Sequence, residues 1–222
     1  MTTLAMPRTR RDSGMEGMVA KWYASNTAEM MNQYVELADR FARELAHGST
    51  VLEVAPGPGY FSIELARRGN FNITGLDLSH TFVKMAAKHA AKEGVQVRFV
   101  QGSASNMPLQ ANSFDFLLCR AAFKNFGQPV SALQEMCRVL KPSGRALIID
   151  LKGDASPSEI RRQVNEMHLT PINRFLTQLA FRHFLLRRAY TKQQFEKMLA
   201  QTAFSRTEVV ESGIGLEVWM TK

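Results

Sequence analysis

The chain has 222 residues, of which 45% are hydrophobic, so it can bury one substantial core and we expect a single domain. The sequence contains neither a run of about 18 apolar residues nor a charged-then-apolar leader, so we expect no membrane span and no secretory signal. A net charge of +8 invites nucleic acid as a partner, but the basic residues are spread along the chain. Cys119 and Cys137 lie in an apolar strand pattern and a helical pattern, which predicts buried thiols and a reducing cytoplasm.

The residues before the first strand predict a flexible tail followed by two helices. Residues 1–14 carry Pro7 and three arginines without apolar periodicity, as in a tail. From Met15 onward the pattern changes, and apolar residues recur at helical spacing: Met30, Tyr34, Leu37, Phe41 and Leu45.

The stretch Val51–Ser62, V-L-E-V-A-P-G-P-G-Y-F-S, predicts a strand, a glycine turn and a helix. Gly57 and Gly59 allow a sharp turn and let a ligand approach the backbone, while the helix that follows offers free N–H groups. This geometry is typical of a nucleotide pocket. A tight strand-to-helix turn without any ligand is the alternative.

A second strand, Asn72–Leu76, is followed by Asp77, which lies 77 − 57 = 20 residues after Gly57. An acid at that spacing binds the ribose hydroxyls in nucleotide folds, although Asp77 could also cap the helix that opens at Ser79. The dinucleotide fingerprint fails, because Ser62 stands where its third glycine would be. A pyrophosphate cofactor is therefore disfavoured.

The next elements predict a third strand at Val95–Val100 and a fourth at Ser113–Arg120. Arg120 and Lys124 follow the fourth strand at the sheet edge where open α/β folds bind ligands. They are candidates for holding an anionic substrate group, with solvated strand-end charges as the alternative. Because the segment lacks the oxygen ligands of a hard cation, we predict no metal.

Five segments then stand in an order that is typical of one enzyme family. They are Glu53-x-Ala55-x-Gly57-x-Gly59, Asp77 after strand two, G-S-A-S-N-M-P-L at Gly102–Leu109, S-F-D-F-L-L-C-R at Ser113–Arg120, and V-L-K-P-S-G-R-A-L-I-I-D at Val139–Asp150. Together they resemble class I S-adenosylmethionine-dependent methyltransferases, in the branch of ubiquinone and menaquinone C-methyltransferases. Two residues depart from the family pattern: Ala55 replaces a glycine, and Ser103 replaces the aspartate that binds adenine.

The resemblance implies a Rossmann-like, doubly wound α/β sheet of seven strands with an antiparallel C-terminal strand. It implies S-adenosyl-L-methionine as the cofactor and a helical leader that closes over it. Trp22 and Tyr23 would help to close the pocket, with ordinary packing as the alternative for these two aromatics. The cofactor-binding residues that it implies are Tyr23, Glu53, Ala55, Pro56, Gly57, Gly59, Asp77, Leu78, Ser103, Ala104, Cys119 and Arg120.

The C-terminal part predicts a cover and then a helix and a hairpin. Pro157–Met167 predicts a helix. Ile172–Tyr190 is a basic amphipathic segment that suits a helix covering the core and an apolar substrate, with contact to an anionic membrane surface or to a partner as the alternative. Thr191 suits a helix N-cap, and two strands, Arg206–Glu211 and Gly215–Thr221, flank a turn at Gly213.

We therefore expect a tail at 1–14 and one methyltransferase domain at 15–222. Within it we expect a helical leader at 15–47, a cofactor-binding core at 48–150, a substrate cover at 151–190 and a C-terminal helix and hairpin at 191–222. The expected reaction is in-line methyl transfer to a small aromatic or lipophilic acceptor, in which no base is required. If a proton must leave, His168, His183 or Lys124 is a candidate to take it, with a surface or packing role as the alternative for each histidine. A cofactor-fold protein without catalysis and an RNA methyltransferase remain open.

Overall fold

A computed structural model describes residues 14–28, 31–166 and 186–222. The described helices are α1 (Gly17–Ala28), α2 (Met31–Glu44), α3 (Tyr60–Ala66), α4 (His80–Lys92), α5 (Pro129–Val139), α6 (Pro157–Glu166) and α7 (Lys192–Leu199). The described strands are β1 (Thr50–Val54), β2 (Asn72–Asp77), β3 (Arg98–Gln101), β4 (Phe114–Arg120), β5 (Leu140–Leu151), β6 (Arg206–Ser212) and β7 (Gly215–Thr221). Short 3₁₀ turns at Phe123–Asn125 and Leu186–Arg188 connect them.

The strands form one seven-stranded sheet in the order β3-β2-β1-β4-β5-β7-β6. Strands β1 to β5 are parallel, whereas β7 runs antiparallel to both β5 and β6. The strand order reverses between β1 and β4, and open α/β sheets bind ligands outside the carboxyl ends of the strands at such a point. The predicted doubly wound fold with an antiparallel C-terminal strand is confirmed.

Alternating residues of the central strands supply a hydrophobic core on each face of the sheet. Leu52 and Val54 of β1 belong to one cluster with the buried faces of α5 and α7, while Val51 belongs to the other. In this second cluster the Phe41 ring of α2 lies 4.5 Å from the Phe116 ring, centroid to centroid. Tyr34, Leu37, Phe41 and Leu45 of the predicted apolar stripe all belong to this cluster or pack against it, whereas Met30 lies outside the described residues.

The predicted start of strand three was wrong. We expected Val95–Val100, but β3 begins at Arg98, because the end of α4 uses the preceding residues. The N–H of Val95 donates to the carbonyl of Ala90 at 3.1 Å, and Gly94 adopts a left-handed φ of 68° that turns the chain out of the helix.

The C-terminal elements agree closely with expectation. Thr191 caps α7 in a capping box with Gln194, and Gly213, with φ of 55°, lies in the turn between β6 and β7. Most of the predicted cover, residues 167–185, and the tail at 1–13 lie outside the described residues. No helix in the described ranges combines the length and the apolar character needed to cross a bilayer.

Candidate functional site

The turn after β1 contains three residues in left-handed backbone conformations. Ala55, Gly57 and Gly59 have φ of 58°, 55° and 84°. A Cβ added to Gly59 would lie 2.9 Å from the Cβ of Ala86, so only glycine fits there. Ala55 adopts this conformation at a cost, because alanine disfavours positive φ. The alanine therefore occupies a position whose backbone suits the glycine of the family pattern.

Asp77, at the end of β2, is fixed beside this turn. Its Oδ2 accepts a hydrogen bond from the N–H of Gly57 at 3.0 Å, and its Oδ1 accepts one from the N–H of Ser79 at 2.8 Å. Burial raises the pKa of the Asp77 carboxyl. Ser79 is the N-cap of α4, since its Oγ accepts from the N–H of Phe82, so the alternative that Asp77 is the cap is wrong.

Glu53 lies beneath the glycine turn and is only 3% exposed. Its Oε2 accepts hydrogen bonds from the N–H of Ser62, at 3.1 Å, and from the Ser62 hydroxyl. Burial raises the pKa of the Glu53 carboxyl to about 7, because the protein interior disfavours its charged form. Ser62, which replaces the third glycine of the dinucleotide fingerprint, therefore satisfies a buried acid.

The loop after β3, residues 102–109, is tied to the same sheet edge. The N–H of Gly102 donates to the Asp77 carbonyl at 2.9 Å, and the Ser103 and Ser105 hydroxyls lie 2.8 Å apart. Ala104 packs against the core cluster on this face. Thus the segments predicted to bind the cofactor, at 53–59, 77–78 and 102–104, meet at one place.

Two side chains of α5 that the sequence did not single out hold this loop in position. Glu135 Oε2 accepts from the N–H of Met107 at 2.7 Å, and Arg138 donates to the carbonyls of Met107, at 3.1 Å, and Leu109, at 2.9 Å. Glu135 and Arg138 also form an ion pair at 2.6 Å, and the two residues lie one helical turn apart on α5. Their i, i+3 spacing could have indicated the pair, but not its contact with the loop.

The leader docks beside Asp77. Ser79 Oγ donates to the Met15 carbonyl, and Glu16 accepts hydrogen bonds from the backbone N–H groups of His80, at 2.9 Å, and Thr81, at 3.1 Å. The Tyr60 hydroxyl donates to the carbonyl of Ala24 at 3.1 Å. The backbone of Tyr23 lies in α1, but its side chain and that of Trp22 fall outside the described part, so their predicted contact with the cofactor stays a prediction.

The end of β4 carries the two basic residues predicted to hold an anionic group. Arg120 Nη2 donates to Gln33 Oε1 at 2.5 Å, and its guanidinium lies 4.4 Å from the centroid of the Tyr34 ring. Lys124 is ion-paired with Asp150 at 2.7 Å. Both charges therefore have protein partners, Arg120 on the leader and Lys124 on β5.

Cys119, the residue before Arg120, is fully buried, and burial raises the pKa of its thiol well above the usual range. His168 and His183 lie outside the described residues. Within the described residues no group of three or more His, Cys, Asp or Glu side chains is placed to hold a metal ion.

A family model described as "Methyltransferase domain" matches residues 52–148, which include β1, the glycine turn, Asp77 and the loop after β3. Residues 52–148 are thus similar to methyltransferase domains. The match ends within β5, so α6, α7 and the final hairpin lie beyond the matched residues.

Curated relatives support the same family. A demethylmenaquinone methyltransferase of Deinococcus radiodurans is 37% identical over 117 residues, covering 52% of this chain and 48% of the relative. An uncharacterized methyltransferase of Bacillus subtilis is 30% identical over 120 residues, covering 53% of this chain and 65% of the relative. The chain thus spans about half the length of the curated relatives it matches.

Solved structures share the fold over nearly the whole chain. A methyltransferase of Methanococcus maripaludis aligns with a TM-score of 0.70 at 20% identity, covering 96% of this chain and 97% of that one. A plantazolicin methyltransferase, solved with S-adenosylhomocysteine, aligns with a TM-score of 0.65 at 14% identity, covering 91% of this chain and 87% of that one. At such identities the likeness establishes the fold.

Proposed function

We propose that this chain transfers a methyl group from S-adenosylmethionine to a small aromatic or lipophilic acceptor. The observation that carries the proposal is the position of Asp77, whose carboxylate is held against the glycine turn by the Gly57 N–H at 3.0 Å. Each carboxylate oxygen can accept more than one hydrogen bond, so Asp77 retains acceptor capacity for the two ribose hydroxyls.

The residues at this sheet edge suit the cofactor in size and in chemistry. Gly57 and Gly59 present no side chain, so a ligand can approach the backbone of the turn, and the N-terminus of α3 supplies backbone N–H groups toward the amino-acid half. In the family that the chain resembles, a carboxylate at the position of Ser103 meets the adenine amino group, so we expect the Ser103 hydroxyl and the backbone of Ala104 to line that end.

The cofactor supplies a strongly electrophilic sulfonium methyl, so the task of the protein is to bind, align and exclude water. Asp77 and the glycine turn hold the nucleoside, and the leader, docked through Glu16, covers the ribose side. We expect the acceptor to enter over the carboxyl ends of β4 and β5, beside the cofactor. His168 and His183 remain proposals for any proton that must leave.

The acceptor class is proposed from the relatives and from composition. The name of the Deinococcus radiodurans relative is that of a demethylmenaquinone methyltransferase, which points to a quinone-like ring. The leader and the predicted cover contain four of the chain's 14 phenylalanines and five of its 12 methionines, which would suit an apolar acceptor. The two free cysteines fit a cytoplasmic location, and peripheral membrane contact through 172–190 is the route by which a lipophilic acceptor would be reached.

Two measurements test the proposal in sequence. Calorimetry with S-adenosylhomocysteine should give binding, and absence of binding at millimolar ligand would overturn it. Turnover should then be measured with a panel of phenols, quinols and amines, by detecting the transfer of a labelled methyl group from the cofactor, and should identify the acceptor.

A cofactor-fold protein without methyl transfer is the second candidate. It is favoured by the departures at Ala55 and Ser103, and one structural neighbour at a TM-score of 0.63 is a [4+2]-cyclase rather than a named methyltransferase. Binding of S-adenosylhomocysteine without turnover of any acceptor would select it. An RNA methyltransferase would instead show RNA binding with a steep salt dependence.

A further inference from the structure

The ion pair between Lys124 and Asp150 joins the carboxyl ends of β4 and β5. Lys124 Nζ donates to Asp150 Oδ1 at 2.7 Å and to the carbonyl of Ala121 at 2.6 Å. The backbone N–H of Lys124 donates to the other carboxylate oxygen, Oδ2, at 3.0 Å. The two side chains are 11% and 2% exposed. Asp150 therefore fixes both the backbone and the ammonium group of Lys124.

The surrounding chain holds this pair rigidly. Ala121 adopts a left-handed φ of 57° and donates its N–H to the Ile149 carbonyl at 2.7 Å, which turns the chain sharply off β4. Phe123, in the 3₁₀ turn next to Lys124, is fully buried, and its ring lies 5.0 Å from the ring of Phe195. A side chain anchored in this way loses little conformational entropy when it binds a ligand.

The pair lies at the carboxyl ends of the parallel strands, where a ligand is expected. Strand β4 borders the point where the strand order reverses, and Val54, next to the glycine turn, pairs in register with Cys119. An ammonium group has three N–H donors, and the contacts made by the described residues use two of them. Counting the described residues alone, one donor of this largely buried ammonium is left for an oxygen of the ligand.

We propose that Lys124 binds the reacting oxygen of a hydroxylated aromatic acceptor and that Asp150 is its positioning residue. This rests on the methyl transfer proposed above. Because the Lys124–Asp150 pair carries no net charge, it attracts a carboxylate or a phosphate only weakly. The remaining N–H donor of Lys124 instead stabilises the oxygen of a phenol as that phenol ionises. The hydroxyl proton leaves to solvent, the oxygen's electron pair forms the bond to the methyl carbon, and the carbon–sulfur pair stays on sulfur.

The test uses 4-nitrophenol as the probe, because its ionised form absorbs visible light. In the presence of S-adenosylhomocysteine, 4-nitrophenol bound to the wild type should ionise at a lower pH than free 4-nitrophenol in water. The double variant Lys124→Met/Asp150→Asn should abolish this shift and lower methyl transfer to phenols by about 100-fold. It removes both charges together, so that no buried carboxylate is left without its partner.

The matched control is Lys141→Met/Asp115→Asn. That pair has the same chemistry, at 2.8 Å, and joins β4 to β5 at the opposite end of the two strands. The control should keep the ionisation shift, and both double variants should bind S-adenosylhomocysteine as the wild type does. If circular dichroism finds the first double variant unfolded, Lys124→Gln takes its place, because the glutamine amide can still donate to Asp150 but carries no charge, and the same loss is expected.

The outcomes separate this inference from the proposed function. A wild type that binds S-adenosylhomocysteine but leaves the ionisation of the probe as in water would overturn the role of Lys124 and leave methyl transfer standing. A shift that persists without Lys124 would do the same. A wild type that binds no S-adenosylhomocysteine would overturn the proposed function itself.

Discussion

Glu16 caps the first turn of α4 by contacting Thr81, although 65 residues separate the two in sequence. Its Oε2 accepts from both the N–H and the hydroxyl of Thr81, while its Oε1 accepts from the N–H of His80. A carboxylate at a helix N-terminus satisfies free N–H groups and interacts favourably with the helix dipole. The leader is thereby attached three to four residues after Asp77, beside the expected ribose site.

Glu16→Ala should release the leader from α4. Without the carboxylate the N–H groups of His80 and Thr81 lose their partner, so limited proteolysis at Lys21 in α1 should become several-fold faster. The control is Glu36→Ala, another exposed acid in the leader region, on α2. Equal cleavage rates for the two variants would contradict a latch at Glu16.

The same contact should depend on pH. The hydrogen bond from the Thr81 hydroxyl is the main cause that holds the pKa of Glu16 below its ordinary value. A lowered pKa in the folded state means that the stabilisation is present above the unfolded value, about 4.3, and is lost as the pH falls further. Proteolysis at Lys21 should therefore accelerate in acid in the wild type, and Glu16→Ala should be insensitive over that range.

Asp77→Ala should weaken binding of S-adenosylhomocysteine by about 1.5–3 kcal/mol, the range for hydrogen bonds lost from a charged group. Titration calorimetry measures this directly. Because Asp77 also accepts from Gly57 and Ser79, the melting temperature must be compared too, with Asp115→Asn as a control at the other end of the sheet. Unchanged affinity in a folded Asp77→Ala protein would remove this residue from the site.

Glu53 should make the stability of the fold fall as the pH rises toward neutrality. Burial raises its pKa to about 7, so between about pH 4.3 and 7 the folded state keeps a proton that the unfolded state has lost. Stability from this group is complete below that window and is lost through it, by roughly 4 kcal/mol, and then levels off. Urea unfolding across this pH range should show the decline in the wild type relative to Glu53→Gln, and parallel curves would contradict it.

Ala55→Gly should stabilise the protein by about 1 kcal/mol, because the left-handed φ of 58° strains alanine but not glycine. The control is Ala87→Gly, on the exposed face of α4, which should destabilise by a similar amount, since glycine lowers helix propensity. Urea unfolding of both variants gives the comparison. A destabilised Ala55→Gly protein would show that the alanine Cβ contributes packing that outweighs the strain.

Features set by local pattern could be predicted from sequence. The glycine turn, the strand ending at Asp77 and the N-cap at Thr191 depend on residue types at fixed short spacings, and all three lie where expected. The start of β3 failed because the N–H of Val95 completes the end of α4, a choice that alternation of apolar residues does not reveal.

The contacts that complete the site could not be predicted, because they join residues that are distant in sequence. Glu16 meets Thr81 across 65 residues, and Arg120 meets Gln33 across 87. Lys124 was a candidate from its position after β4, but its partner Asp150 comes from a neighbouring strand 26 residues later. Such side chains meet because of the order of the strands in the sheet, and that order does not follow from short-range residue spacing.

The free cysteines can report on the opening of the fold. The thiols of Cys119 and Cys137 are free and only 0% and 5% exposed, one in the central sheet and one on α5. A thiol reagent can therefore label the Cys119 sulfur only in molecules that have opened locally or globally, whereas Cys137 lines a cavity at the surface. The labelling rate of Cys119 would time the opening of the central sheet, with no engineered probe.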